Sequence, residues 1–347
     1  MPTEPKKLHL GFALNLGLED RSPEATARLY QDVADTILYA EGLGIDGVWV
    51  GQHHFDNTPG PVPSPLVLLA AVAGRTRHIQ LGTGIVTLPL EEPLRLAEDA
   101  AVLDILSGGR VHLGLGTGGA NLGAFDAFGL EATDRHDLYD SRLARLHDVL
   151  DGKPVSEADG APRIQPHVPG LRGRIWQGVT SHQRAADAAA AKDGIQLGAF
   201  FDPVGTGQYP KARTYVEQWK AWGNSGEPRV GLFRFLYLGE SKDQVAAELD
   251  PVLGKRLPFL GVRARISGND SLAGLTTREY LDQVALFGSP EDVAAEILQD
   301  PLIRDFGTDL VANFSYHDTF DPAHARRQLE LLATRVGPAI GWSRSRP

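Results

Sequence analysis

Cysteine is absent from all 347 residues. That absence excludes disulfides, thiolate-bound metals, iron–sulfur clusters and a cysteine nucleophile, so any chemistry must run on other side chains or on a borrowed cofactor. The chain also lacks a dense Lys/Arg block. With 34 basic against 44 acidic residues its formal charge is −10, which leaves no footprint for a phosphate backbone, and nucleic acid is not an expected partner. A run of roughly 18 apolar residues, the length a membrane helix requires, occurs nowhere. The opening MPTEPKKLHLGFALNL holds no apolar stretch of signal-peptide length, so cytoplasmic residence without a membrane partner is the expectation. No nicotinamide-binding fingerprint and no dense His/Asp cluster are apparent either.

What remains is ample material for a core: 42% of residues are hydrophobic and 22% charged, far from the balance of a disordered chain. A (β/α)8 barrel uses about 250 residues and tolerates insertions, so one decorated domain over residues 1–347 fits the length. Short apolar runs alternate with longer amphipathic segments. His9 to Leu14 reads as a strand ending at Asn15, and Ser22-Pro23 opens a helix that Gly42 and Gly44 stop. Gly47 to Gly51 is a second strand, followed by a helix from Ser64-Pro65 to about Arg75. Ile79 to Leu88 is a third strand. The helix after Pro93 places Leu94, Ala97, Ala101 and Ile105 on one side, expected to face the sheet, and Ser107-Gly108-Gly109 ends it.

Val111 to Gly116 follows as a fourth strand. Asp151 to Gly173 reads as a long connection, after which strands are expected at Ile175 to Val179, Ile195 to Phe200, Val230 to Leu238 and Leu310 to Phe314. Helices are expected at Gln183 to Lys192, Lys211 to Trp222, Asp243 to Leu253, Arg278 to Ala285, Pro290 to Leu298 and Pro322 to Val336. Gly254 to Thr277 is poorly patterned and reads as an excursion. Near eight strands and eight helices, this is the count of an α/β (β/α)8 TIM barrel with loop insertions, with a doubly wound open sheet as the structural alternative.

Barrel enzymes place their chemistry where strands end, which directs attention to four stretches. His53 and His54 follow the second strand with side chains on opposite sides, a poor metal pair but one that can turn an imidazole toward the barrel mouth. Two structural histidines are the alternative. LGTGIV, Leu81 to Val86, sets two glycines inside an apolar strand, which suits a close backbone approach to a flat ring or a simple bulge. Gly116 to Gly119 follow the fourth strand and can bring backbone N–H groups to a phosphate. Ser181 begins a helix and Arg184 lies one turn on, readable as an anion site or as an ordinary cap with a surface arginine. Glu98, Asp99, Asp104 and His112 read as structural, and Glu91-Glu92 as a solvated loop. Trp176 and Phe200 read as packing, while Phe12 stands evenly between packing and a ligand wall.

Three stretches in order, AEGLGIDGVWVGQHHF, the run from Ala70 to Gly119, and IWQGVTSHQRAADAAAAKDG, resemble the bacterial luciferase-like flavin-dependent monooxygenases. The resemblance implies FMN, reduced by a separate flavin reductase, acting with dioxygen on a small organic substrate. It implies a proton-handling role for His53, and a cis peptide at Gly84-Ile85 under a flavin ring that Thr83 helps support and Phe12 walls. Relatives hold the flavin phosphate near Thr117, Gly118, Ser181 and Arg184. Many of them carry Arg at Thr117 and Glu at Gln52, so Arg184 is the candidate replacement cation, and the imidazole beside Gln52 lacks an acidic neighbour. Relatives commonly pair as homodimers through helices near the second and third strands. A deazaflavin-dependent hydride-transfer enzyme, a catalytically idle flavin-binding protein and a metal-dependent barrel hydrolase are the alternatives. The substrate has no readable code in the loops after Gly119 and around Gly254 to Thr277.

Overall fold

The computed structural model describes residues 8–14, 20–55, 62–119, 122–198, 207–266, 270–314 and 320–344. Among these residues ten parallel strands form one sheet: β1 (His9–Leu14), β2 (Gly47–Val50), β3 (Gln80–Thr83), β4 (Val86–Thr87), β5 (Val111–Gly116), β6 (Ile175–Gly178), β7 (Gly194–Gly198), β8 (Val230–Leu238), β9 (Ala285–Gly288) and β10 (Asp309–Asn313). β1 pairs with β2 on one side and β10 on the other, and β10 pairs with β8, so the ring closes. Closure selects the barrel over the doubly wound sheet, which would leave two open edges. β9 stands outside the ring, pairing with Phe235 to Leu238, a stretch of β8 that starts at the last residue paired with β10 and runs beyond it.

The barrel interior is filled by two tryptophans seated among glycines. Trp49 and Trp176 meet edge to face, with ring centroids 5.4 Å apart and planes at 85°. Gly82, beside Trp49 in the register, has no room for a side chain because a Cβ there would enter the Trp49 ring. Gly194 stands in the same relation to Trp176, at 2.6 Å. The Trp176 indole N–H donates to His112 Nδ1 at 3.0 Å, satisfying the polar atom that burial would otherwise strand. Burial drives the His112 pKa down to about 3, so its ring is neutral and structural. Successive residues point to opposite faces of a strand, so Leu10, Phe12, Leu81, Leu113 and Leu197 join the outer core against the helices.

Several elements differ from their sequence expectation. The third strand is broken into β3 and β4. The helix Pro93–Ser107 buries Leu96, Ala97, Ala100, Ala101 and Leu103, while Ile105 is 57% exposed, so the buried face is rotated from the one expected to meet the sheet. A helix at Arg135–Leu150 is absent from the sequence expectation, although its buried Tyr139, Leu143, Leu146 and Leu150 recur at helical spacing. Lys242–Ile266 is one helix with Pro251 and Pro258 inside it, continuing into the stretch expected as an excursion. Proline removes a ladder hydrogen bond, which is why the pattern reads as broken. That helix and Thr277–Val284 pack on the far end of β8 and on β9 in a second apolar core. Among the described residues no helix is long and apolar enough to cross a membrane.

Candidate active site at the carboxyl ends of the strands

A cavity of about 190 Å³ opens where the strands end, bounded by Ala13 and Leu14 of β1, Gly84 and Ile85, Gly178 of β6, and Gln196 and Gly198 of β7. Phe233, Arg234 and Phe235 of β8 and Asn313 of β10 complete the wall. The segments 15–19, 56–61, 120–121, 199–206 and 315–319, which follow several of these strands, and with them Asn15 and Phe200, lie outside the described residues.

The cavity floor depends on a bulge. Gly82 pairs with His112 and Val86 with Leu115, so residues 83–85 hold one residue more than the facing strand. The Thr83 side chain repairs the interrupted ladder: its hydroxyl donates to Gly114 O at 2.8 Å and accepts from Gly114 N at 2.8 Å. Within the bulge the Gly84-Ile85 peptide is cis, as the resemblance implies. Gln52 braces it from the next loop. Its backbone N–H donates to Ile85 O at 3.2 Å, its Oε1 accepts from Thr87 N at 2.6 Å, and its Nε2 donates to Glu91 Oε1 at 2.6 Å. Gln52, read in the sequence only as a lost charge, is therefore a buried strut between two loops, and Glu91 is its acceptor.

The histidine pair divides as alternation requires. His54 is 8% exposed, packs edge-on against Phe128 at 5.0 Å, and burial lowers its pKa. His53 is half-buried, its N–H bonded to Val62 O at 3.0 Å; its side chain does not border the cavity. Phe12 is also off the cavity wall: it faces the helical layer, and its neighbours Ala13 and Leu14 border the space instead.

Thr117 and Gly118 follow β5, and Ser181 follows the adjacent β6, three residues past Gly178. Gly118 takes φ +77° and has no space for a Cβ, which would enter Thr87 Cγ2. Ser181 caps the helix His182–Ala190, its hydroxyl oxygen accepting from Arg184 N at 3.2 Å. The Arg184 guanidinium is gripped by both oxygens of Asp140, the second at 3.1 Å, and lies 5.3 Å from the centre of the Tyr139 ring; the hydrogen bond to Asp140 raises its pKa. Behind it runs a buried chain: Tyr139 OH donates to Gln177 Oε1, and Gln177 Nε2 donates to Asp193 Oδ2. Burial alone would raise the Asp193 pKa, but His147 at 2.9 Å and Arg172 at 2.6 Å outweigh it, and the carboxylate titrates below its ordinary value.

Gln196, Arg234 and Asn313 were not singled out in the sequence, yet each borders the cavity. Their signal was a lone polar residue inside an apolar run, in IQLG, LFRFL and LVANF. Arg234, 1% exposed, donates to Gln208 Oε1 at 2.6 Å, and Gln208 in turn donates to Gly198 O at 2.8 Å.

The profile of the luciferase-like monooxygenases matches residues 13–305. The chain is 40% identical over 264 residues to the uncharacterized protein y4wF of Sinorhizobium fredii, covering 73% of this chain and 74% of that one. It is 26% identical over 336 residues to limonene 1,2-monooxygenase of Rhodococcus erythropolis, covering 91% and 82%. Among solved structures, the oxygenating constituent of 3,6-diketocamphane monooxygenase from Pseudomonas putida, in complex with FMN, superposes with a TM-score of 0.77 at 18% identity, over 97% of this chain and all of that one. The coenzyme F420-dependent tetrahydromethanopterin reductase of Methanopyrus kandleri superposes with a TM-score of 0.69, also at 18% identity, covering 96% and 99%. Both share the fold. This chain, with its closed barrel and bulged third strand, belongs to the luciferase-like monooxygenase family.

Proposed function

We propose that this protein is a monooxygenase that binds reduced FMN, takes dioxygen, and oxidises a small organic substrate at the mouth of the barrel. The observation that carries this reading is the bulge at 83–85, presented to a cavity whose wall is free of side chains at Gly84, Gly178 and Gly198. A Cβ at Gly198 would meet nothing within 4 Å, so a planar ring has open backbone to lie against. The polar wall also fits a heteroaromatic ring, since Gln196 Oε1 is buried there with no hydrogen-bond partner among the described residues. When bound, reduced flavin supplies the electrons and the oxygen-activating chemistry that side chains lack.

In this reading Thr83, Gly84 and Ile85 support the ring, and Phe12 acts from behind the wall by packing Ala13 and Leu14 in place. His53 holds or moves a proton at its imidazole. The phosphate lies at the start of the helix His182–Ala190. There the Ser181 hydroxyl oxygen accepts from Arg184 N and keeps its O–H for donation, beside Thr117, Gly118 and the first-turn N–H groups of the helix. Arg184 supplies the positive charge, shared with Asp140. The apolar walls exclude water from the reacting atoms.

A separate reductase delivers the reduced cofactor, in keeping with a relative described as an oxygenating constituent. Val67, Val102, Ile105 and Leu106 leave an exposed apolar surface on the helices Pro65–Ala73 and Pro93–Ser107, which suits pairing into a homodimer. A second reading, hydride transfer from a reduced deazaflavin, is favoured by the F420-dependent relative. Titration of the purified protein with FMN, reduced FMN and the deazaflavin, followed by oxygen uptake with the reduced forms, separates the two. Tight binding of reduced FMN with oxygen consumption is expected; selective binding of the deazaflavin without oxygen uptake would replace the first reading with the second.

A further inference from the structure

Gln196 projects from the inner face of β7 and is 5% exposed. Its Nε2 donates to the Thr83 carbonyl at 3.3 Å. A carbonyl only accepts, so the carboxamide has one chemically sensible orientation, with its NH2 on the Thr83 carbonyl and its oxygen on the other arm, beside Gly114. That oxygen is buried and has no hydrogen-bond partner among the described residues. Buried acceptors are paired in the great majority of folded proteins, and those that are not usually await a ligand or water. The surroundings offer the space: Gly178 stands opposite Gln196 in the register, and Gly198 lies two residues on along the same face. The amide is also held in place, because the site for a Cβ on Gly114 is filled by Thr83 O and by Gln196 itself.

We propose that Gln196 Oε1 accepts a hydrogen bond from the N3–H of the flavin ring, so that this residue reads the pyrimidine edge of the cofactor while its NH2 ties the reading group to the bulge beneath the ring. The proposal rests on the flavin reading above. An acceptor here selects a donor, and N3–H is the ring N–H that a flavin carries in both its oxidised and reduced forms. The same contact aligns the ring with the Thr83-Gly84-Ile85 backbone, because one side chain touches both.

The test is a thermodynamic cycle on binding alone. Dissociation constants for FMN and N3-methyl-FMN are measured by flavin fluorescence for the unaltered protein and for Gln196→Met, which keeps length and removes the acceptor. The unaltered protein is expected to bind the methylated ring about tenfold more weakly than FMN. Gln196→Met is expected to lose about the same factor for FMN and almost nothing further on methylation. The bond that Thr83 O loses in the variant is common to both ligands and cancels in the cycle. Equal binding of the two flavins by the unaltered protein overturns the inference without recourse to any variant. So do losses that simply multiply. Failure to bind FMN at all overturns the flavin reading and this inference together, whereas tight FMN binding with independent losses overturns this inference alone.

Discussion

Arg184 is the residue whose role turns most sharply on its neighbours. It lies at the start of a helix, where the backbone favours an anion, yet its guanidinium is already shared with Asp140 and stacked on Tyr139. A phosphate at Ser181 would add to that arrangement, with Tyr139 holding the guanidinium plane. Arg184→Ala is therefore expected to weaken FMN by about tenfold or more while changing riboflavin binding little; equal losses for the two ligands would remove Arg184 from the phosphate site. His53 makes a different demand. Its side chain stands off the described cavity wall, so the proton role proposed for it is separable from holding the ring. His53→Ala should keep FMN affinity within a few-fold and depress coupled oxygenation by about 10²-fold or more, and unchanged turnover would take His53 out of the mechanism. The position of this histidine was legible in the sequence because it follows a strand. Gln196 was not, since nothing in IQLG says that its amide meets a bulge from a strand more than a hundred residues away.

At the scale of elements, the barrel wall is a trade between tryptophan and glycine. Trp49 is held by Trp176 at 5.4 Å and Phe233 at 5.8 Å, so it cannot turn aside for a new atom on Gly82. Gly82→Ala should destabilise the fold by about 1–3 kcal/mol, read from the urea midpoint; a neutral outcome would mean that the interior is looser than its packing indicates. Gly82 and Gly84 announce themselves as costly glycines inside an apolar strand, and their two purposes are distinct. The first makes room for Trp49, and the second belongs to the bulge at the cavity. Strand positions were legible because apolar runs between glycine and proline are short and self-contained. The helices were read less well: Ile105 faces outward, and Lys242–Ile266 runs through two prolines. Which face of a helix is buried depends on the neighbours it packs against, and periodicity alone does not name them.

Across the whole molecule, the acid-sensitive element is Asp193. It is fully buried between His147 and Arg172, contributed by a helix that the sequence did not reveal and by a connection that it did. Its folded pKa is below the ordinary 3.8. The stability it contributes is therefore fully present above that value and is lost as pH falls through the lower folded value. Asp193→Asn should cost about 3–5 kcal/mol at neutral pH, because it leaves the part-buried Arg172 guanidinium without its partner, and should flatten the decline in stability below about pH 4. An unchanged acid profile would assign that decline to other carboxylates. The sequence by itself determined the alternation of strands and helices, the costly glycines inside the third strand and the helix that starts at Ser181, because each follows from local spacing and backbone freedom. Only the tertiary structure decided that β10 closes the ring between β1 and β8, that Phe12 turns outward, and that Gln196 reaches Thr83. Those outcomes rest on contacts between residues far apart in the chain, and no local pattern encodes which distant backbone a side chain will meet.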